Sequence, residues 1–91
     1  MNKHPKKIEK YNGTMEELSR DIVGLDYDAQ VELFKLLTKD FQTDSINDQN
    51  IGHPKVSKFL ENISSGLSEI LKRDMEPMAD LCRTYNKKGI R

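Results

Sequence analysis

The most reactive side chains in this 91-residue chain are two histidines and one cysteine, His4, His53 and Cys82. A nucleophilic thiol needs a nearby base and partial exposure to solvent. Both histidines precede a proline and lie far from the cysteine in sequence, so we interpret them as solvent-exposed. Cys82 has the helical spacing of Met78 and Tyr85, which predicts a buried, inert thiol. These residues predict no catalytic site and no enzyme activity.

The polar segment 43–53 has the carboxylates and amides of a calcium loop but not their spacing. An EF-hand loop starting at Asp44 would place Gln49 where glycine is needed and Lys55 where a bidentate glutamate is needed. One cysteine does not supply a zinc site, and no glycine-rich phosphate loop is present. We therefore predict neither a metal nor a cofactor.

The charges are segregated along the chain, although the formal net charge is zero. Residues 1–11 carry +3, residues 12–51 carry −6 and residues 52–91 carry +3. This pattern favours attraction between the middle of the chain and its ends, or those of a second copy.

A nucleic-acid partner has less support from these charges. The short join between the first two predicted helices invites a helix-turn-helix interpretation, but its second helix would offer Asp26, Asp28 and Glu32 to DNA phosphates. Sequence-specific DNA binding is therefore not expected. A nucleic-acid-associated regulator that binds through its basic termini is the alternative hypothesis.

The composition predicts one small domain. Hydrophobic residues make up 35% of the chain and charged residues 33%, and the mean hydropathy is −0.76. We expect a basic arm over residues 1–11, a helical domain over 12–86 and a basic tail over 87–91. Without a long apolar run we expect no membrane association, and the lone cysteine fits a reducing cytoplasm.

Capping signals mark the first two helices. Thr14 and Glu17 have the spacing of a capping box, and Asp26 is a candidate N-cap. Gly24 is expected to end the first helix in a left-handed conformation. The second helix is predicted from Tyr27 to about Gln42.

The second half of the chain predicts a polar loop followed by one long helix. Residues 43–53 have loop composition, and Pro54 suits the first position of a helix. An extra four-residue step interrupts the apolar repeat, and Pro77 predicts a kink or break after Arg73. The apolar repeat consists of Val56, Leu60, Ile63, Leu67, Leu71, Met75, Met78, Cys82 and Tyr85.

No segment alternates in the manner of a strand, so the predicted fold is all-α. The expected architecture is a small antiparallel bundle of three to four helices. In it, a hairpin of the first two helices packs on a long, proline-kinked third helix.

Two segments carry a family resemblance: GLDYDAQVELFKLL at residues 24–37 and LCRTY at 81–85. Together they resemble a loose group of small helical proteins from cyanobacterial genomes, over roughly residues 16–86. The resemblance implies an all-helical fold and carries over no catalytic residue. This chain departs from the group in Pro77 and in Ala79-Asp80, where an aromatic residue would be expected.

The expected function is that of a non-enzymatic adaptor or regulatory protein that binds another protein, a second copy included. The apolar positions of the second and third helices exceed what one small bundle can bury. The predicted binding residues are Tyr27, Phe34, Phe41, Leu71, Met75 and Met78.

Overall fold

The computed structural model describes residues 4–87, and within that range the chain is helical with no strand. A π-helical turn, Leu71–Met75, joins the last two α-helices into one continuous long helix. The all-α prediction is confirmed. The α-helices are α1 (Met15–Val23), α2 (Tyr27–Asn50), α3 (Pro54–Ile70) and α4 (Glu76–Lys87).

The predicted helix starts are confirmed. The Glu17 amide donates to the Thr14 hydroxyl at 3.1 Å, and the Thr14 amide donates to the Glu17 carboxylate at 2.9 Å. The Asp26 carboxylate accepts from the Asp28 amide at 2.7 Å, and Pro54 is the first residue of α3. Side-chain oxygens thus satisfy amides that have no partner within the first helical turn.

Gly24 ends α1 as predicted, but the expected left-handed conformation is wrong. Its φ of −80° is right-handed, which any residue adopts. The side-chain amide of Gln30 donates to the carbonyls of Val23 at 2.8 Å and Leu25 at 3.2 Å. Because α2 supplies these donors, the end of α1 needs no left-handed cap.

The loop predicted over residues 43–53 is wrong, because α2 continues to Asn50. The polar side chains that suggested a loop bond to helical carbonyls instead. Thr43 donates to the Lys39 carbonyl at 3.1 Å, and Ser45 donates to the Ser57 carbonyl of α3 at 2.8 Å. Only residues 51–53 turn the chain, with Gly52 at a φ of +86° that favours glycine.

The expected pairing of α1 with α2 is also wrong. The dominant packing is between α2 and the long α3–α4 helix. Ser45 meets Ser57, whereas Asp28 near the start of α2 pairs with Arg83 in α4, so the two helices are antiparallel. None of the residues Met15–Val23 is buried. The structure is therefore a two-helix hairpin with a short α1 beside it, and a bundle of three to four helices is not confirmed.

The hairpin interior is made mostly of small residues. Ser45 and Ser57 place their Oγ atoms 3.1 Å apart, and Ser64 donates to the Thr38 carbonyl at 2.9 Å. In the part of the chain that the structure describes, the buried apolar residues are Leu71, Met75 and Ala79. Small side chains let the two backbones approach closely, and the hydroxyls satisfy one another and nearby carbonyls.

The long helix is not broken near Pro77, although an irregularity does occur where the sequence predicted one. A proline removes the hydrogen bond to the carbonyl four residues earlier and clashes with it. Here the Glu76 amide bonds to the Leu71 carbonyl, five residues back, in the π-helical turn immediately before Pro77. The turn adds one residue without ending the helix.

Tyr11 attaches the segment before α1 to that helix. Its hydroxyl donates to the Asp21 carboxylate at 2.6 Å. This hydrogen bond, with desolvation and the negative charges of Asp21 and Glu17, raises the pKa of Tyr11 to about 12 from an ordinary value of 10.0. The neutral phenol is thus the form that the folded chain favours.

We expect one of the three tyrosines to titrate near pH 12 when phenolate absorbance is followed against pH. Because the pKa is raised on folding, this contact stabilises the fold fully below about pH 10 and is lost as the pH rises through about 12. Asp21→Asn should return that tyrosine towards pH 10, and Tyr11→Phe should remove the late titration. Unchanged curves for both variants would contradict the assignment.

Candidate interaction surface

The long helix places large apolar residues directly before the residues that face α2. Val56 precedes Ser57, Ile63 precedes Ser64, and these pairs recur every seven residues. Ile70 before Leu71 continues the series, and Met78 before Ala79 follows after eight residues, across the π-helical turn. One residue is a rotation of about 100°. Two stripes therefore run side by side, and the turn keeps both aligned.

The stripe that faces α2 is buried, and its neighbour is exposed. Phe59 is 68% exposed, whereas Leu71 is 4% exposed. The helix thus buries small residues such as Ser57 and Ala79 and leaves larger apolar residues uncovered. We call the exposed stripe the apolar face: Val56, Phe59, Ile63, Ile70, Met78, Leu81 and Tyr85.

The opposite side of the hairpin carries its ion pairs. Arg83 of α4 pairs with Asp28 of α2, and Glu76 lies 3.9 Å from Lys35 of α2. Met78 and Tyr85 each follow an ion-paired residue by two positions, a rotation of about 200°. The hairpin is therefore a layer with a charged side and an apolar side. These pairs are exposed, so each contributes less than about 1 kcal/mol.

On the α2 side, half-buried Leu33 and Leu37 border the apolar face, and two acids continue the same flank towards the α2–α3 turn. Ser45 faces Ser57, so Asp44 and Val56, each one residue earlier on antiparallel helices, are rotated towards the same side and differ in height by only about 3 Å. Asp40 precedes Asp44 by four residues and lies above it on that flank. An apolar stripe thus lies beside an acidic edge.

The dimensions of the chain agree with a single uncovered layer. Its principal extents are 53 × 31 × 15 Å, and its radius of gyration is 16.4 Å, against about 12 Å for a compact chain of this length. Its accessible surface is 7722 Å², whereas about 5,400 Å² is typical of a monomer of 10.5 kDa. Roughly 2,300 Å² more surface is therefore exposed than in a compact fold.

The structure separates the six predicted binding residues. Leu71 and Met75 are buried between the helices, and Phe34 and Phe41 are half-buried. Tyr27 and Met78 are exposed and line one groove. Of the six, only Met78 belongs to the apolar face.

The remaining residues of the apolar face were not among the predicted binding residues. The sequence repeat combined positions from two stripes, because Val56 and Ile63 are exposed whereas Leu71 and Met75 are buried. The sequence did contain a signal for the buried stripe, namely the regular occurrence of the small residues Ser57, Ser64 and Ala79. Small residues at the period of the helix indicate close contact with another helix, which assigns larger neighbours to the outside.

A groove of about 650 Å³ lies where the start of α2 meets α4. Leu25 and Tyr27 line one wall, Leu81 and Tyr85 line the other, and the Asp28–Arg83 pair crosses it. Half-buried Cys82 also lines this groove, so its predicted full burial is wrong. At the open end of the hairpin, this groove therefore joins the apolar face, through Leu81 and Tyr85, to the charged side, through Asp28 and Arg83.

The structure does not bring the candidate reactive residues together. His53 lies at the α2–α3 turn, where its Nδ1 is 3.3 Å from an oxygen of Asp48. Cys82 is 29 residues further along a continuous helix, or about 40 Å away. Among residues 4–87, no three metal-ligating side chains cluster, and no helix has the length and apolar character of a membrane span.

The basic termini are only partly described. Lys6, Lys7 and Lys10 are exposed in the segment before α1, and the first two line a shallow groove with Met15. Of the predicted basic tail 87–91, residues 88–91 lie outside the described residues, as do residues 1–3 of the arm.

Among the described residues, the apolar face is thus an exposed stripe that runs along the long helix and contains seven large apolar side chains. Comparisons of the chain with protein families, with curated proteins and with solved structures gave no match.

Proposed function

We propose that this protein is a non-enzymatic adaptor or regulatory protein that binds another protein through the apolar face. The observation that supports this proposal is that the long helix buries small side chains and exposes large apolar ones. Ser57 and Ser64 are buried, whereas Phe59 and Ile63 are exposed. A helix that packs only against α2 would gain more from the reverse arrangement, because large apolar side chains contribute most when buried.

The energy available to such an interface is substantial. Full burial of one large apolar side chain contributes about 1.5–3 kcal/mol. The seven side chains of the apolar face are each between 37% and 68% exposed, so part of this contribution is still available. Association costs about 4–15 kcal/mol in lost freedom of motion. Several of the seven must therefore be buried together, which requires a partner surface of matching length.

Photo-crosslinking in the native cell tests the proposal. A benzophenone amino acid replaces Phe59 in one variant and Ser65 in another, and both positions are exposed on α3. We expect a covalent adduct with a protein from position 59 and none from position 65, because Ser65 follows the buried Ser64 and is rotated by about 100° from it, away from Ile63 and the apolar face. Equal yields from the two positions, or no protein adduct from position 59, would refute protein binding by this face.

A further inference from the structure

We infer that the apolar face is covered by a second copy of the same chain, so that two hairpins form an antiparallel four-helix bundle. This inference rests on the proposed function and names its partner. A single layer of helices encloses no core, whereas two layers packed face to face do. The chain supplies such a layer itself, about 50 Å long with one apolar side.

The exposed area is sufficient for a stable dimer. A standard interface buries about 800 Å² on each partner. The roughly 2,300 Å² by which this chain exceeds a compact monomer, a figure that includes the segment before α1, is more than twice that amount. Face-to-face packing would cover Phe59, Ile63 and Ile70, together with the half-buried Leu33 and Leu37 beside them.

Charge selects how the two copies are oriented. Within Tyr27–Asn50 the net charge is −3, and within Pro54–Lys87 it is +1. Stacking α2 on α2 of the second copy would oppose like charges. A twofold axis parallel to the helices instead stacks α2 on α3 of the second copy, and every neighbouring pair is then antiparallel.

In this orientation, the acidic edge of α2, formed by Asp40 and Asp44, lies close to a lysine of the second copy. An axis parallel to the helices preserves height, so Asp44 of one copy lies within about 3 Å of the height of Val56 of the second copy, with Lys55 next to it. Lys55 is exposed and has no role within its own hairpin among the described ion pairs. Pairing with Lys55 compensates the partial burial of the Asp44 carboxylate.

The mass of the purified full chain in solution is the first test, by sedimentation from about 1 to 100 μM, a range that brackets typical micromolar affinities. We expect the mass of two copies of 10.5 kDa. Phe59→Asp should weaken dimerisation at least tenfold, and Ser65→Asp should not. A monomeric wild type, or a Phe59→Asp variant that dimerises as tightly as the wild type, would overturn the inference.

Two further measurements test the dimer even if the Phe59→Asp variant fails to fold. The unfolding temperature of the wild type should rise with protein concentration, as for any dimer whose folding and association are linked. A temperature independent of concentration would count against the dimer. If Phe59→Asp unfolds, the milder Phe59→Ser should shift the dissociation constant in the same direction, and an unchanged constant would overturn the inference.

Disulfide trapping tests the orientation. One chain carries Asp44→Cys, the other Val56→Cys, and both carry Cys82→Ser. The mixture should form a disulfide between the two chains, since facing helices bring such positions within bonding range. Asp44→Cys alone should form none. A dimer that forms only the disulfide between two Asp44→Cys chains would reject the orientation.

The crosslinking and sedimentation results together separate the two proposals. A monomeric protein that still gives an adduct of different mass from position 59 would overturn the dimer and support the proposed function. No adduct and no dimer would overturn both.

Discussion

In a Pro77→Ala background, deleting Lys72 is expected to leave the free energy of unfolding of the hairpin nearly unchanged, whereas deleting Ser65 should lower it by several kcal/mol, about 1.5–3 kcal/mol for each of two buried side chains. Lys72 is exposed within the π-helical turn. In the wild type, Ala79 follows Leu71 by eight residues, and removing Lys72 shortens this step to seven. The alanine removes the proline clash that a regular helix would restore, worth about 3 kcal/mol.

Ser65 is equally exposed but lies in a regular part of α3. Its deletion rotates the residues between it and the end of the π-helical turn by about 100° relative to α2. Leu71 and Met75 would turn out of the interior, each losing about 1.5–3 kcal/mol of burial. That is a large part of the 5–15 kcal/mol by which typical domains are stable.

Urea unfolding followed by circular dichroism, at one protein concentration, measures both deletions against Pro77→Ala alone. The Lys72 deletion should change the free energy of unfolding by less than about 1 kcal/mol, the scale of ordinary surface changes. Equal losses for the two deletions would show that the π-helical turn does not absorb the extra residue.

Leu71→Ala is expected to lower the free energy of unfolding by about 2–5 kcal/mol, through lost burial and the cavity left behind. Leu71 is among the few apolar side chains that the described hairpin buries. Leu36→Ala is the matched control, because Leu36 is 51% exposed on α2 and should change stability by about 0.5 kcal/mol.

Chemical denaturation of the two alanine variants at equal concentration distinguishes these effects. A loss at Leu36 as large as that at Leu71 would place the stabilising contacts outside the hairpin interior. Far-ultraviolet circular dichroism before denaturation establishes that both variants begin helical.

The part of this fold that the sequence predicted consists of local features. Thr14 with Glu17, Asp26 and Pro54 start helices through contacts within one turn, so their roles depend on little beyond their neighbours. The all-helical class follows from the same short-range patterns. The irregularity before Pro77 was also predictable, since a proline disturbs any helix that contains it.

Other features depend on residues far apart in the chain. Residues 43–50 have the composition of a loop, yet they are helical because Ser45 donates a hydrogen bond to the Ser57 carbonyl on the next helix. Tertiary contacts commonly override such weak local preferences. The same contact decides which stripe of the long helix is buried and leaves Phe59 outside.

By itself, the sequence determined where helices begin and that one long helix carries apolar residues over a wide arc. Only the tertiary structure decided which part of that arc is covered. Adjacent stripes are offset by one position in the sequence and have the same helical period, so periodicity does not distinguish them. Close approach of two backbones at Ser45, Ser57 and Ser64 breaks this equivalence. Small side chains occupy the seam, and the larger ones next to them are left for a partner.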